Sequence, residues 1–341
     1  MNFRLTHALS HSTGQYKTRP EDFQVDEIPA YEACGEGEHL FVRIEKTNLT
    51  TVEAASLLAK AAKLPESSPS WAGLKDKLAL CSQTLCLPAQ AEDALAQFSH
   101  PALRILSMKR HRNKLRTGHL LANRFRIVLR KLSNVQAAIL CFEQLLKTGF
   151  PNFFGQQRFG QDNLRRGFAL LKKERFIRWN AFQKKMYLST VQSALFNHLL
   201  NQRLQEGTFF TVLEGDVLKK YETGGEFVCR NAHEDQVRFE QFELSTTGPI
   251  YGPKMTFPEG ETADKEALAL AAFNLSPGDF KRTDYLSRGT RRPLRALLKE
   301  ASFEAEENQL TLSFTLAPGC YATSVIHELM DEAPCSQTGP D

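Results

Sequence analysis

The sequence has few residues arranged for metal or disulfide chemistry. Its seven cysteines are odd in number, widely scattered and never spaced as C-x-x-C, which argues against a thiolate zinc site and a disulfide framework. Its nine histidines include no H-E-x-x-H pair. We therefore expect reduced cysteines and no bound metal.

Nucleotide-cofactor motifs and long apolar runs are missing as well. Neither a G-x-x-x-x-G-K-[ST] loop nor a G-x-G-x-x-G turn occurs. No apolar run approaches the length of a membrane span, and the first residues lack the apolar core of a secretory signal. We expect a cytoplasmic protein without membrane contact.

What the sequence does contain is positive charge in two clusters. The formal net charge of the 341 residues is only +4, which permits an anionic partner but does not require one. Both clusters contain few acids, as a surface that binds a phosphate backbone would. We predict phosphate-backbone contacts for seven of their residues: Lys109, Arg110, Arg112, Lys114 and Arg116 in the first cluster, and Arg291 and Arg292 in the second.

One acidic residue stands out at the end of a short apolar stretch. Asp76 follows Gly73 and lies between Lys75 and Lys77. A glycine turn after a rigid element is a common way to present a single carboxylate, and the neighbouring cations favour its ionised form. Asp76 is therefore our candidate for the chemistry, although such a triplet also occurs in ordinary solvated turns.

Alternating and helical patterns outline the fold. Strands are predicted at 39–46 and 123–130, the second with an apolar face ending in Asn123 and a basic opposite face. Capping boxes predict helices beginning at Thr50 and at Ser133. Strict alternation predicts a further strand over 310–316.

The composition changes near residue 152, where an aromatic, amide and glycine-rich segment begins. It returns to the first pattern near residue 286. We expect a mixed α/β (α+β) fold with one domain in two parts, over 1–154 and 286–341, and a second domain inserted over 155–285. The last strand should complete the sheet of the first part.

Several segments together resemble one enzyme family. They are the Pro20–Glu27 lead-in, Gly73–Lys77 with Ala79 and Gln83, Asn123–Phe125, Asn152–Gly160 and Gly319–Thr323. In this order they are similar to the TruD family of tRNA pseudouridine synthases, over nearly the whole chain. Local departures include Leu78 and Cys81, where many members have histidine and threonine.

The resemblance implies an enzyme that isomerises a uridine of transfer RNA, position 13 in bacterial members, to pseudouridine. It implies a catalytic domain with a central, mainly antiparallel sheet, an inserted α/β TRUD domain and no cofactor. Asp76 matches the catalytic aspartate, which acts on a flipped-out base. Phe23, Asn123 and Tyr321 match substrate-contacting positions, and we add Lys75 to the substrate-binding residues.

The same residues also allow other interpretations of their roles and of the function of the chain. Phe23 is either a core residue or a platform on which a base stacks. A catalytically silent RNA-binding protein of the same fold would carry the same basic clusters. A hydrolase would need a thiol beside an imidazole, and no histidine lies near Cys81 in the sequence. We expect a monomer, because no coiled-coil heptad or long apolar stripe is present.

Overall fold

The computed structural model describes residues 3–155, 158–160, 162–172, 179–283 and 285–332. The strands are β1 (Ser12–Gly14), β2 (Phe23–Pro29), β3 (His39–Thr47), β4 (Ser70–Trp71), β5 (Leu80–Pro88), β6 (Leu103–His111), β7 (Leu120–Arg130), β8 (Phe150–Pro151), β9 (Val217–Lys220), β10 (Glu226–Val228), β11 (Leu244–Ile250), β12 (Thr290–Pro293), β13 (Arg295–Ala296), β14 (Lys299–Glu306), β15 (Gln309–Leu316) and β16 (Met330–Glu332). The helices are α1 (Thr51–Ala61), α2 (Glu92–Ala96), α3 (Val135–Thr148), α4 (Asn163–Lys172), α5 (Ala181–Gln205), α6 (Ala232–Glu240), α7 (Gly260–Ala272), α8 (Pro277–Lys281) and α9 (Ala322–Leu329).

The chain divides into two compact units. The first, the sheet unit, contains Leu9–Lys147, Leu297–Ala322 and the described residues from Leu329 onward. The second, the helical unit, contains the described residues up to Ala8, Thr148–Ala296 and Thr323–Glu328. The boundaries at 155 and 285, inferred from composition, remain predictions.

An eight-stranded sheet forms the centre of the sheet unit. Its strand order is β14-β15-β7-β2-β5-β3-β6, with β4 paired to β5. Every pair is antiparallel except β2 with β5, which confirms the predicted mainly antiparallel sheet. Strand β15, which contains the predicted strand over 310–316, pairs with β7 and so completes the sheet of the first part of the chain as expected.

One face of this sheet carries the hydrophobic core. The side chains of Leu40, Val42 and Ile44 on β3 pack against Ala54 and Leu58 of α1. Helix α1 begins with the predicted capping box, in which Thr50 and Glu53 exchange side-chain to backbone hydrogen bonds. Such a cap fixes the first turn of the helix over the sheet.

The start of α3 differs from the prediction. The side chain of Asn134, one residue later than expected, accepts from the backbone N–H of Ala137 and caps the helix. The hydroxyl of Ser133 instead accepts from the backbone N–H of Thr13, 120 residues away. A long-range contact has therefore taken the residue that the local capping pattern favoured.

Four polar side chains interrupt the apolar face of the sheet. They belong to Glu27 on β2, Lys46 on β3, Gln83 on β5 and Asn123 on β7, and the first three are buried. Buried polar groups cost free energy unless they are hydrogen-bonded, so a cluster of them on a core face has a structural or chemical purpose.

The helical unit has a smaller sheet, β10-β9-β11-β12, beside α5. Its core includes Leu188, Val191 and Leu195 of α5, which recur at helical spacing along one side of that helix. Among the described residues, no helix combines the length and the apolar character required to cross a bilayer.

The packing of α1 gives a stability prediction. Leu58 is fully buried and Val52, on the same helix, is 55% exposed. We expect Leu58→Ala to lower the free energy of unfolding by about 2–5 kcal/mol because it leaves a cavity, and Val52→Ala to change it by less than about 0.5 kcal/mol. Urea denaturation of both variants checks this, and equal losses would contradict the packing described.

Candidate functional site

Asp76 lies in the Asp76 loop, residues 72–79, which joins β4 to β5. Its side chain is 39% exposed, so the carboxylate can meet a ligand. The ammonium of Lys17 lies 2.6 Å from Asp76 Oδ2. The Lys17 backbone is in the left-handed region, with φ of 56°, an uncommon conformation for a residue with a side chain.

The position of Lys17 is fixed from its other side by an aromatic ring. Its ammonium lies 4.1 Å from the ring centroid of Phe23, within the range of a cation–π interaction. Phe23 is only 3% exposed, and the ring of Phe125 meets it edge-on at 6.1 Å. Phe23 is thus a core residue that supports Lys17, and the stacking of a base on it remains a prediction.

A second lysine holds the backbone of Asp76. The fully buried Lys46 ammonium donates to the carbonyl oxygen of Asp76 at 2.7 Å and to that of Leu49 at 2.6 Å. Burial lowers the pKa of Lys46, and the nearby Cys81 and Asp76 oppose that shift. The cost of burying this cation is offset by two charge-assisted hydrogen bonds to backbone carbonyls.

Two further hydrogen bonds fix the residues before Asp76. The backbone N–H of Lys75 donates to Thr51 Oγ1 at 2.9 Å. The side-chain amide of Gln83 donates to the carbonyl of Gly73 at 3.3 Å and accepts from the hydroxyl of Thr51. The Asp76 loop is therefore tied to the start of α1 and to the middle of β5.

The two lysines beside Asp76 in the sequence do not pair with it. Lys75 forms a buried ion pair with Glu27 at 2.6 Å, and Lys77 pairs with Glu53 at 3.2 Å. The expectation that these neighbours hold the carboxylate was wrong, because acids from β2 and α1 engage them and Lys17 takes their place. Substrate binding by Lys75 is untested, but its ammonium already has a carboxylate partner.

Asn123 lies on β7, and Tyr321 follows β15, the strand that pairs with β7. Asn123 pairs in register with Glu27 on one side and with Leu316 on the other. Its amide oxygen is buried and has no hydrogen-bond partner among the described residues. Tyr321 follows β15 closely, five residues after Leu316, and is half-buried.

The first basic cluster lies on β6 and in the loop after it, and all five of its predicted RNA-contacting residues are exposed. Arg110 pairs with Glu92 at 2.7 Å, and Arg112 pairs with Glu36. Two of the five cations, Arg110 and Arg112, are therefore paired with acids that lie far from them in the sequence. Lys109, Lys114 and Arg116 have no carboxylate within ion-pairing distance in the described part of the chain.

The second basic cluster requires a correction. Arg291 is buried, and its guanidinium forms a two-bond ion pair with Glu266 at 2.7 and 3.1 Å. It cannot contact an RNA backbone, because the core of the helical unit encloses it. Arg292 is half-buried, lies 4.0 Å over the ring of Phe154 and donates to Asn152, and its RNA contact remains a prediction.

Three residues of this site were not predicted from the sequence: Lys17, Lys46 and Glu27. A signal existed for two of them. Lys46 follows Leu40, Val42 and Ile44 on the inward face of β3, and Glu27 follows Phe23 and Val25 on β2. A charged residue at the next core position of an alternating strand indicates a buried polar contact. Lys17 gave no such signal, because its role depends on a contact with a residue 59 positions away.

Comparison with known proteins identifies the relatives of this chain. The family model described as "tRNA pseudouridine synthase D (TruD)" matches residues 4–175 and 178–329. A tRNA pseudouridine synthase D of Anaeromyxobacter sp. (strain Fw109-5) is 40% identical over 335 residues, covering 96% of this chain and 95% of the relative. An enzyme of that name from Thermus thermophilus is 39% identical over 330 residues, covering 96% of this chain and 91% of the relative.

A solved structure supports the fold. The structure titled a putative tRNA pseudouridine synthase D (TruD) from Methanosarcina mazei superimposes with a TM-score of 0.75 and covers 97% of this chain and 96% of that chain. Its sequence identity is 22%. This likeness establishes the α+β fold with its mainly antiparallel sheet.

The contacts of Lys46 generate a test of the geometry. We expect Lys46→Met to speed amide hydrogen exchange in the Asp76 loop by about tenfold or more, because the carbonyls of Asp76 and Leu49 lose their donor. Lys77→Met is the control: it makes the same substitution one residue from Asp76, at a lysine whose ion pair is exposed. This variant should leave the exchange rates of the loop unchanged. Equal exchange in wild type and Lys46→Met would contradict the anchoring role.

Proposed function

Because the chain belongs to the TruD family of tRNA pseudouridine synthases, we propose that it isomerises a uridine of transfer RNA to pseudouridine with Asp76 as the catalytic residue. The uridine we expect is position 13. The observation that carries the assignment is Asp76 itself, a half-exposed carboxylate whose backbone and one oxygen are both held by lysines.

The reaction explains why one carboxylate is sufficient to begin. The N1–C1′ bond of uridine breaks, C5 joins C1′, the C5 hydrogen leaves as a proton and N1 gains one. No electrons enter or leave, so the overall change requires no oxidant or reductant. Asp76 starts the exchange by attack at C1′ or C6 or by removing a ribose proton, and all three routes need the same placed carboxylate.

The contacts of Asp76 suit this chemistry. Lys17 binds Oδ2, and Oδ1 has no hydrogen-bond partner among the described residues, so one oxygen can face the substrate. The positive charge of Lys17 also balances the negative charge of the carboxylate, which remains half-exposed. The fixed backbone limits the positions that the carboxylate can adopt, which lowers the entropy lost on reaching the transition state.

The target nucleotide must leave its stack to reach Asp76, at a cost of a few kcal/mol. Asn123 offers its unpartnered amide oxygen to an N–H of the base or to a ribose hydroxyl. Tyr321 supplies an aromatic ring for the extruded base. Lys109, Lys114 and Arg116 attract the phosphate backbone, which offsets part of the cost of extrusion.

The alternative is an RNA-binding protein of the same fold without turnover. Such a protein would have no reason to keep a half-exposed carboxylate beside an ammonium and to anchor its backbone on a buried lysine. The two functions differ in one measurable respect, the appearance of product.

The test compares wild type, Asp76→Asn and, as a matched control, Asp93→Asn on the exposed surface of α2. Purified proteins are incubated with unmodified tRNA, and pseudouridine is mapped by nucleoside mass spectrometry. We expect wild type and Asp93→Asn to modify one site, and Asp76→Asn to lose at least ~10³-fold in rate because the amide can neither attack nor accept a proton.

Two results would overturn the proposal. If all three proteins bind the RNA and none modifies it, the RNA-binding alternative replaces the enzyme. If Asp76→Asn retains the wild-type rate, another residue performs the chemistry.

A further inference from the structure

A cluster of aromatic and imidazole rings lies beside the first basic cluster. The ring of Tyr31, in the loop from β2 to β3, stacks on His111 with centroids 5.2 Å apart and an interplanar angle of 26°. The Tyr31 hydroxyl lies 2.7 Å from Nδ1 of His119. The ring of Phe41 supports His111 from below, at 4.8 Å. Tyr31 is nevertheless 36% exposed, so part of its ring is open to a ligand.

The backbone around these rings is tightly held. The N–H of Gly35 donates to the carbonyl of Arg110 at 2.9 Å, and the N–H of Cys34 donates to Nδ1 of His111. Gly37 has a φ of 119°, and a Cβ there would lie 2.4 Å from the carbonyl oxygen of His111. The loop that carries Tyr31 is thus packed directly against the end of β6, and the ring is presented with little loss of entropy on binding.

Two cations that have no carboxylate partner among the described residues lie in the segment that ends at His119. Lys114 and Arg116 are exposed in the 112–119 segment, which ends at His119. Burial, the largest cause, raises the pKa of Tyr31, and the positive charge of Arg116 opposes the rise. An aromatic face flanked by such cations matches a nucleotide, whose base stacks while its phosphate is neutralised.

This patch is continuous with the Asp76 loop. The N–H of Gly118 donates to the carbonyl of Ala72 at 2.8 Å, and the hydroxyl of Ser70 donates to the carbonyl of Leu115 at 2.7 Å. Leu115 also packs with Ala72 in a small core cluster. Ala72 is four residues from Asp76, so the 112–119 segment is fixed to the base of the Asp76 loop.

We propose that Tyr31, held by His111 and His119, is a stacking platform for an unpaired base of the RNA substrate, with Lys114 and Arg116 binding the adjoining phosphates. The inference rests on the proposed function for the identity of the RNA. It adds a second base-binding position outside the pocket of the extruded uridine. A platform of this kind favours RNA with unpaired bases near the target, because the face of a paired base is covered by its neighbours.

The experiment measures equilibrium binding of unmodified tRNA and of a fully paired RNA duplex of similar length. We expect Tyr31→Ala and Tyr31→Leu to weaken tRNA binding about tenfold, the loss typical of one stacked base. Tyr31→Leu retains apolar bulk in the same space, so it preserves the local packing. Tyr31→Phe keeps the stacking face and should bind within about twofold of wild type.

The duplex and a control variant separate stacking from general effects. Wild type, Tyr31→Ala and Tyr31→Leu should bind the duplex with equal affinity, since the duplex has no unpaired base. Leu106→Ala, which removes an exposed side chain from the same strand as His111, should bind both RNAs like wild type.

Each unfavourable result has a defined meaning. Wild-type tRNA affinity in Tyr31→Leu, or equal losses on tRNA and duplex, would overturn the platform. Pseudouridine formation by the wild type is measured on the same tRNA. If the proposed function is wrong, the wild type binds tRNA but forms no product, and this result is distinct from failure of the stacking platform.

Discussion

The hydrogen bond from the Lys46 ammonium to the carbonyl of Asp76 is the constraint on which the site depends. A fully buried ammonium must have strong acceptors, and the loop that contains Asp76 supplies one of the two available. The sheet therefore fixes the position of the Asp76 backbone before any substrate arrives. Thr51 and Gln83 fix the residues just before it, so that α1, β3 and β5 all contribute to one loop.

The same loop connects Asp76 to the segment that carries part of the first basic cluster. Its first residue, Ala72, accepts a hydrogen bond from Gly118, at the end of a segment that presents Lys114 and Arg116 to solvent. On the other side of Asp76, Lys17 is held over the ring of Phe23 on β2, and Glu27 farther along that strand pairs with Lys75. Strand β2 also lies beside Asn123 through its register with β7. The central strands thus place a carboxylate, an unpartnered amide and a cationic surface in one unit of the fold.

The parts of this arrangement that depend on local pattern could be predicted from the sequence. The capping box at Thr50 and the alternation on β3 and β7 were confirmed, because each is decided by neighbouring residues. The return of the 310–316 strand to the sheet, a long-range pairing expected from the change and return of composition along the chain, was confirmed as well. The candidate Asp76 came from a local turn and, more firmly, from the family resemblance. The family and its α+β fold were also confirmed.

The errors share a physical cause. Arg291 was assigned to the surface because its sequence neighbours are basic, but Glu266, 25 residues away, pairs with it in the core. Lys75 was expected to influence Asp76 because the two are adjacent, but its ammonium pairs with Glu27, 48 residues away. An ionic side chain pairs with the group that the tertiary fold brings close to it, and this partner cannot be identified from the local sequence.

The most direct test of the account moves the carboxylate without removing it. Asp76→Glu keeps the charge and the anchored backbone but displaces the acid by one methylene. Tritium release from tRNA labelled at uridine C5, measured in a single turnover, reports the isomerisation. If catalysis depends on a carboxylate held in one place, the rate falls by about 100-fold or more while tRNA affinity stays within about threefold of wild type. A rate close to wild type would show that the fixed position of Asp76 is not what the reaction requires.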